Sequence, residues 1–249
     1  MKLCSAAERK INMKAVLLAA GRGTRISKRI QEIPKSTLPI GDKPLIRRTV
    51  EMMIDEGIEP IVCVGYKYEK VYEALEGLPV KFFYNPFYDV TNSIASLWFA
   101  RGELDDDMII MNADVFFSTD ILHKLLSDER PVILASDKSR TATGDYFFSL
   151  GKNNCVQKYG KDIPLEERDC EYVGLAKVRK EFIPVFCKQL DKLIDEQKHG
   201  CWWEEVLYTL ADERHIHTLD VDGMFWSEID YFDDYQRILN YIDETEKNV

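Results

Sequence analysis

Six consecutive apolar residues, Ala15-Val16-Leu17-Leu18-Ala19-Ala20, stop at Gly21-Arg22-Gly23, and this junction restricts the fold more than any other part of the chain. A short apolar run without polar alternation is the pattern of a strand buried on both faces of a parallel sheet. Two glycines just past such a strand let backbone amides approach a ligand with no Cβ in the way. The sequence therefore predicts an α/β chain that presents a glycine-rich loop at the carboxyl end of its first strand.

The rest of the first half repeats the alternation. Residues 44–56 carry apolar side chains at helical spacing after Pro44 and stop at Gly57. Residues 60–64, 80–84 and 107–112 read as further strands, and 68–75 and 93–101 as helices. Strand–helix alternation implies right-handed crossovers and a mainly parallel sheet flanked by helices. The second half changes character: 132–136, 146–150, 156–159 and 172–178 read as strands separated by turns, which predicts a small antiparallel lid insertion within about 132–180. Helices over 181–198 and 204–211, a strand over 216–221 and a terminal helix over 233–244 follow. No linker-like stretch divides residues 13–249, which are expected to form one domain, with 1–12 a polar N-terminal extension.

Charge narrows the partners. The chain carries a formal charge of -10, which disfavours nucleic acid and anionic membrane, since both reward clustered Lys and Arg. No run approaches the ~18 apolar residues of a spanning helix. Six scattered cysteines without a C-x-x-C pair, and no apolar signal segment, predict a reduced cytoplasmic protein. Positive charge is nevertheless concentrated at Arg22, Arg25, Lys28, Arg29 and Lys35, beside the glycines.

That concentration suits a phosphate. Leu18, Ala19, Ala20, Gly21, Arg22 and Gly23 would cradle it through the backbone, Arg25 offers a planar fork to its oxygens, and Lys35 after Pro34 supplies a second cation. A solvated turn is the alternative reading of the same residues. Two other nucleotide motifs fail here. A dinucleotide fingerprint wants glycine at position 26, occupied by Ile26, and an acid after the second strand, where Gly65-Tyr66 stands. A phosphate loop of the Gly-Lys-Ser/Thr type is missing after Gly21.

Asp114 follows the apolar strand in Asn112-Ala113-Asp114-Val115, at the sheet edge where ligands bind in parallel α/β folds. Mg²⁺ favours one or two carboxylates with phosphates and water, and Asp230 in Ser227-Glu228-Ile229-Asp230 is the best second acid. Taken singly, each is also an ordinary cap or turn residue.

The ordered set Leu18-Ala19-Ala20-Gly21-x-Gly23-x-Arg25, Pro34-Lys35 and Lys43-Pro44-Leu45 resembles the signature of sugar-1-phosphate and choline-phosphate nucleotidyltransferases. The resemblance implies a Rossmann-like fold, a loop that holds a nucleoside triphosphate, Arg25 and Lys35 stabilising it during catalysis, and Mg²⁺ held by Asp114 and Asp230. Asn85-Pro86-x-Tyr88-x-x-x-Asn92-x-x-x-Ser96-Leu97 is similar to the branch that uses CTP on phosphocholine or 2-aminoethylphosphonate. Gly65, Tyr66, Asn85, Asn92, Ser93 and Ser96 fall after successive strands and so face the same cleft, where their polar groups could read a nucleotide base, although Asn92 or Ser93 also reads as a helix cap. An amine-bearing phosphate or phosphonate needs aromatic faces and carboxylates. The resemblance assigns these to Asp145, Tyr146, Trp203 and Glu204. A sugar-1-phosphate nucleotidyltransferase and a catalytically silent nucleotide-binding regulatory module are the alternatives.

Overall fold

In a computed structural model of the chain, residues 13–23 and 33–246 are described. The extension expected over residues 1–12 lies outside them. β1 (Met13–Ala19) is followed by the two-residue strands β2 (Pro39–Ile40) and β3 (Lys43–Pro44), helix α1 (Leu45–Asp55) and β4 (Glu59–Val64). Next come α2 (Tyr68–Ala74), β5 (Lys81–Tyr84), α3 (Ser93–Phe99), β6 (Asp107–Asn112), β7 (Val115–Phe117) and α4 (Thr119–Ser127). The second half contains β8 (Val132–Asp137), β9 (Phe147–Leu150), β10 (Val156–Gly160), β11 (Cys170–Val178), α5 (Ile183–Asp195) and α6 (Glu205–Tyr208). It ends with β12 (His217–Asp220), β13 (Trp226–Glu228) and α7 (Phe232–Glu246).

The main sheet is built on β1, which pairs in parallel with β4 on one side and β6 on the other; β4 in turn pairs in parallel with β5. Ala15, Leu17 and Ala19 enter one apolar core and Val16 the other, so the strand is buried on both faces, as the uninterrupted apolar run requires. One core packs Ile46, Val50 and Met53 of α1 with Ile121, Leu122 and Leu125 of α4. The other packs Ile94 and Leu97 of α3 with Phe186 and Leu190 of α5. At roughly 1.5–3 kcal/mol for each fully buried large aliphatic or Phe side chain, these two layers supply most of the driving force for the architecture. A third, smaller core sits under α7, where Ile238 and Ile242 meet Leu38, Ile40 and Phe116.

The second half is antiparallel, with one difference from the expected lid. β11 pairs antiparallel with β6 and β8, so β8 and β11 extend the main sheet, and β12 closes that edge in parallel with β8. Only the β9–β10 hairpin continues away from it, held by β9 against the start of β11. Lys177 of β11 reaches under α4 and donates to the carbonyls of Leu125, Leu126 and Asp128, at 3.1, 3.0 and 2.6 Å, covering acceptors that the helix end leaves open. Among the described residues no helix is long and apolar enough to cross a membrane.

The terminal helix and α1 match the predicted spans within two residues, whereas the helix expected over 204–211 is reduced to the single turn of α6. The carboxyl ends of β1, β4, β5 and β6 all open toward one edge, as their parallel registers require.

Candidate active site

The floor of the cleft is set by a ladder too short to read from sequence. β7 pairs antiparallel with β13 over three residues, which puts Glu228 opposite Val115 and brings the chain around Asp230 back to the end of β6. The Ile229 amide then donates to the Asp114 carbonyl at 3.0 Å. Asp114, Glu228 and Asp230 converge, with one carboxylate oxygen from each lying within 4.8 Å of the others. Glu228 was not singled out from the sequence, although its i, i+2 spacing to Asp230 was a usable signal, because side chains two apart on extended chain share a face.

Lys35 completes the cluster. Pro34 and a short turn at residues 35–37, closed by the Thr37 amide on the Pro34 carbonyl at 2.9 Å, aim its side chain inward. Its Nζ lies 2.5 Å from Asp230 Oδ1 and 3.4 Å from Asp114 Oδ2. Burial acts to lower the ammonium's pKa, but the charges of Asp114 and Asp230 outweigh it and hold Lys35 above its ordinary value. Burial, together with the charges of Asp114 and Asp230, drives the Glu228 carboxyl well above the usual carboxylate range. Such a knot of acids around one cation is poised for a second, harder cation. Three carboxylates are an all-oxygen donor set of the kind Mg²⁺ takes, so the residues fit that ion.

The glycine loop roofs one side. Gly23 adopts φ +61°, and a Cβ there would lie 2.6 Å from Lys35 Cγ, so the loop rests on the stem of the catalytic candidate. At Gly21 a Cβ would meet no described atom within 4 Å. Arg25 lies outside the described residues, as do Lys28 and Arg29. Arg22 turns away from the cleft floor, pairing with Asp89 at 3.0 Å and lying over the Tyr66 ring at 5.5 Å.

Leu18, Ala19, Ala20, Gly21, Gly23, Asn85, Asn92, Ser93 and Ser96 line a cavity of about 210 Å³ beneath this loop, with Lys35 and Asp114 at its inner end. Gly65 and Tyr66 brace it from behind. The Tyr66 amide donates to the Ala20 carbonyl at 3.0 Å, and a Cβ on Gly65 would press on that same oxygen at 2.8 Å. Asn85 spends its side chain internally, donating to Thr91 and Ser96 hydroxyls at 3.1 and 3.0 Å and accepting from the Phe87 amide. Asn92 accepts from the Ser93 amide, and the Ser93 hydroxyl accepts from the Trp203 amide. These residues first of all shape the cavity wall.

A second cavity of about 380 Å³ lies on the other side of the acids and shares Gly23, Lys35, Asn92, Asn112, Trp202 and Glu228 with the first. Asp145, Tyr146 and Glu204 line it. Trp203 does not. Its side chain is fully buried and its Nε1 donates to Asn112 Oδ1 at 3.0 Å, while the neighbouring Trp202, 41% exposed, is the indole that faces the cleft. Both tryptophans lie in the irregular stretch just before α6, which offers no periodic face to read. Tyr146 stacks on Tyr208 at 5.5 Å and meets Trp202 edge-on at 5.9 Å. Asn112 Nδ2 donates to Glu204 Oε1 at 3.1 Å, yet burial pushes that carboxyl from 4.5 up to about 7. The Asp145 carboxylate is bound by Lys161 at 2.5 Å.

The chain that builds this cleft, with a glycine loop and a cation on one side, a carboxylate cluster at its waist and an acidic aromatic chamber on the other, is similar to known proteins. The model of the MobA-like NTP transferase domain matches residues 15–200. The choline-phosphate cytidylyltransferase of Streptococcus pneumoniae is 24% identical over 241 residues, 91% of this chain and 96% of that protein. The CTP:phosphoglutamine cytidylyltransferase of Campylobacter jejuni is 26% identical over 257 residues, 90% of this chain and 98% of that protein. Among solved structures, the CTP:phosphocholine cytidylyltransferase from Streptococcus pneumoniae superimposes with a TM-score of 0.76 at 22% identity, covering 93% of this chain and all of that one. The inositol-1-phosphate CTP transferase from T. maritima does so with a TM-score of 0.74 at 19% identity, over 94% and 97%. The chain belongs to the MobA-like NTP transferase domain family and is a nucleotidyltransferase.

Proposed function

We propose that the enzyme is a Mg²⁺-dependent cytidylyltransferase that transfers CMP from CTP to an amine-bearing phosphate or phosphonate, phosphocholine or 2-aminoethylphosphonate, with release of pyrophosphate. The observation that carries this reading is the pair of cavities that share Lys35 and Glu228, with Asp114 lining the first and Asp230 the second. The glycine-loop side suits a triphosphate, and the chamber of Tyr146, Trp202, Asp145 and Glu204 suits an ammonium. The two relatives named as cytidylyltransferases support CTP as the donor.

An acceptor phosphate or phosphonate oxygen is ionised at neutral pH and needs no general base. It attacks the α-phosphorus in line; the new P–O bond forms as the bond to the β-phosphate oxygen breaks, and that oxygen leaves with pyrophosphate. Asp114 and Asp230, with Glu228 beside them, would hold Mg²⁺, which when bound neutralises phosphate charge. Lys35 places a fixed positive charge at the waist of the cleft, where charge passes to the leaving oxygen. The loop amides orient the triphosphate, and Arg25 would add its guanidinium to it.

Pyrophosphate release with CTP, UTP, GTP and dTTP against phosphocholine, 2-aminoethylphosphonate, phosphoethanolamine and sugar 1-phosphates tests the proposal. Turnover with CTP and an amine-bearing acceptor is expected. Turnover confined to UTP and a sugar 1-phosphate would overturn the donor and the acceptor together.

A further inference from the structure

The acceptor chamber already contains an ammonium, and it belongs to the protein. Lys161, immediately after β10, extends into the second cavity, where its Nζ lies 2.5 Å from Asp145 Oδ2 and 5.3 Å from the centre of the Trp202 ring. A carboxylate and an indole face are the two groups an amine-bearing acceptor would need there. The Trp202 ring meets Tyr146 edge-on, and Tyr146 is itself stacked on buried Tyr208, so the aromatic wall is backed by packed rings. The Asp145–Lys161 pair is open to solvent. Asp145 is 59% exposed and Lys161 36% exposed on their side chains, and exposed ion pairs hold weakly.

We propose that Lys161 is a tethered occupant of the acceptor's ammonium subsite, which the acceptor must displace, and that the subsite is built for a primary ammonium. This rests on the acceptor reading above. Lys161 reaches Asp145 through an N–H donor at hydrogen-bond distance, which a trimethylated ammonium lacks. The lysine therefore reports the geometry the chamber selects: one face on Trp202, one hydrogen bond to Asp145. A swinging lysine also keeps Asp145 paired whenever the acceptor is absent. Its displacement weakens every amine acceptor by the same factor and leaves amine-free acceptors untouched, which sets it apart from a lysine placed to bind an acceptor anion.

The test compares wild type, Lys161→Met and Lys161→Arg. Met keeps the stem and removes the charge, and Arg keeps the charge. Calorimetric binding of 2-aminoethylphosphonate and steady-state kinetics with CTP are measured beside the amine-free analogue ethylphosphonate. Loss of one exposed ion pair and one cation–π contact predicts about fivefold tighter binding and a correspondingly lower KM for 2-aminoethylphosphonate in Lys161→Met. The turnover number and the ethylphosphonate affinity stay unchanged, Lys161→Arg behaves as wild type, and phosphocholine binds more weakly than 2-aminoethylphosphonate throughout. Unchanged or weaker binding in Lys161→Met overturns the proposal, as does no binding to either protein. Tighter binding with no pyrophosphate released by any variant supports the tethered lysine while sinking the reaction assigned above, so the two failures are told apart.

Discussion

Lys35 Nζ lies 2.5 Å from Asp230 Oδ1 across 195 residues of sequence, and this contact closes the waist of the cleft. The same ammonium is 3.4 Å from Asp114, so one side chain ties the loop after β1 to the end of β6 and to the start of α7. Replacing Lys35 with Met should lower the turnover number by about 10²–10³, the usual cost of losing one group aimed at developing charge. Circular dichroism should show the fold retained. Turnover within a few-fold of wild type would remove Lys35 from the chemistry.

Gly21 and Gly23 separate structure from ligand binding. Gly23→Ala forces a left-handed backbone on a residue with a Cβ and presses it against Lys35, which predicts a loss of about 1–2 kcal/mol in urea unfolding. Gly21→Ala meets no described atom and should leave stability unchanged while weakening CTP binding, if the triphosphate fills the space beside it. Equal stability of the two variants would contradict the loop's packing on Lys35.

The two tryptophans offer a similar contrast. Trp203→Ala removes a fully buried indole and should cost about 3–5 kcal/mol in stability. Trp202→Ala should cost little stability and raise the acceptor KM by about tenfold, the scale of a partly desolvated cation–π contact. A stable Trp203→Ala protein with a raised acceptor KM would restore Trp203 to the pocket.

These two residues also mark where the sequence stops being informative. The parallel sheet, α1 and α7 were legible because their apolar patterns repeat over a full element: a continuous run in β1, and helical spacing in α1. The positions of Asp114 and Asp230 were legible as strand-end and pre-helix acids. Trp202 and Trp203 were not separable, since they lie in the irregular stretch before the one-turn α6 and share no periodic face with it. Glu228 reaches the site through the β7–β13 ladder, whose three residues carry no pattern of their own, so only its i, i+2 spacing to Asp230 marks it in the sequence. Lys161 enters the chamber through the β9–β10 hairpin, a tertiary placement with no local signal.

Glu204 gives a pH signature. Burial raises its folded pKa from 4.5 to about 7, so between those values the native state holds a proton that the unfolded chain has released. This contribution to stability is therefore lost as pH rises from about 4.5 to about 7 and is flat above. The shift corresponds to roughly 3 kcal/mol at about 1.4 kcal/mol per unit. Urea unfolding at pH 5 and pH 7.5 should show a smaller fall in stability for Glu204→Gln than for wild type. An identical pH dependence in the two proteins would show that Glu204 titrates normally.

Asp114→Ala should abolish turnover with little change in the unfolding midpoint, because it leaves Lys35 paired with Asp230. Added Mg²⁺ should raise the melting temperature of wild type and should do so less for the variant. An equal Mg²⁺ response in both would place the ion elsewhere.

The most direct measurement follows the phosphorus atoms themselves. In ³¹P NMR, wild-type protein with Mg²⁺, CTP and 2-aminoethylphosphonate or phosphocholine should convert the three CTP resonances into those of pyrophosphate and a CMP-linked acceptor, in equal amounts. Unchanged CTP with every amine-bearing acceptor, or its hydrolysis to CMP or CDP without a linked product, would contradict transfer of CMP to such an acceptor.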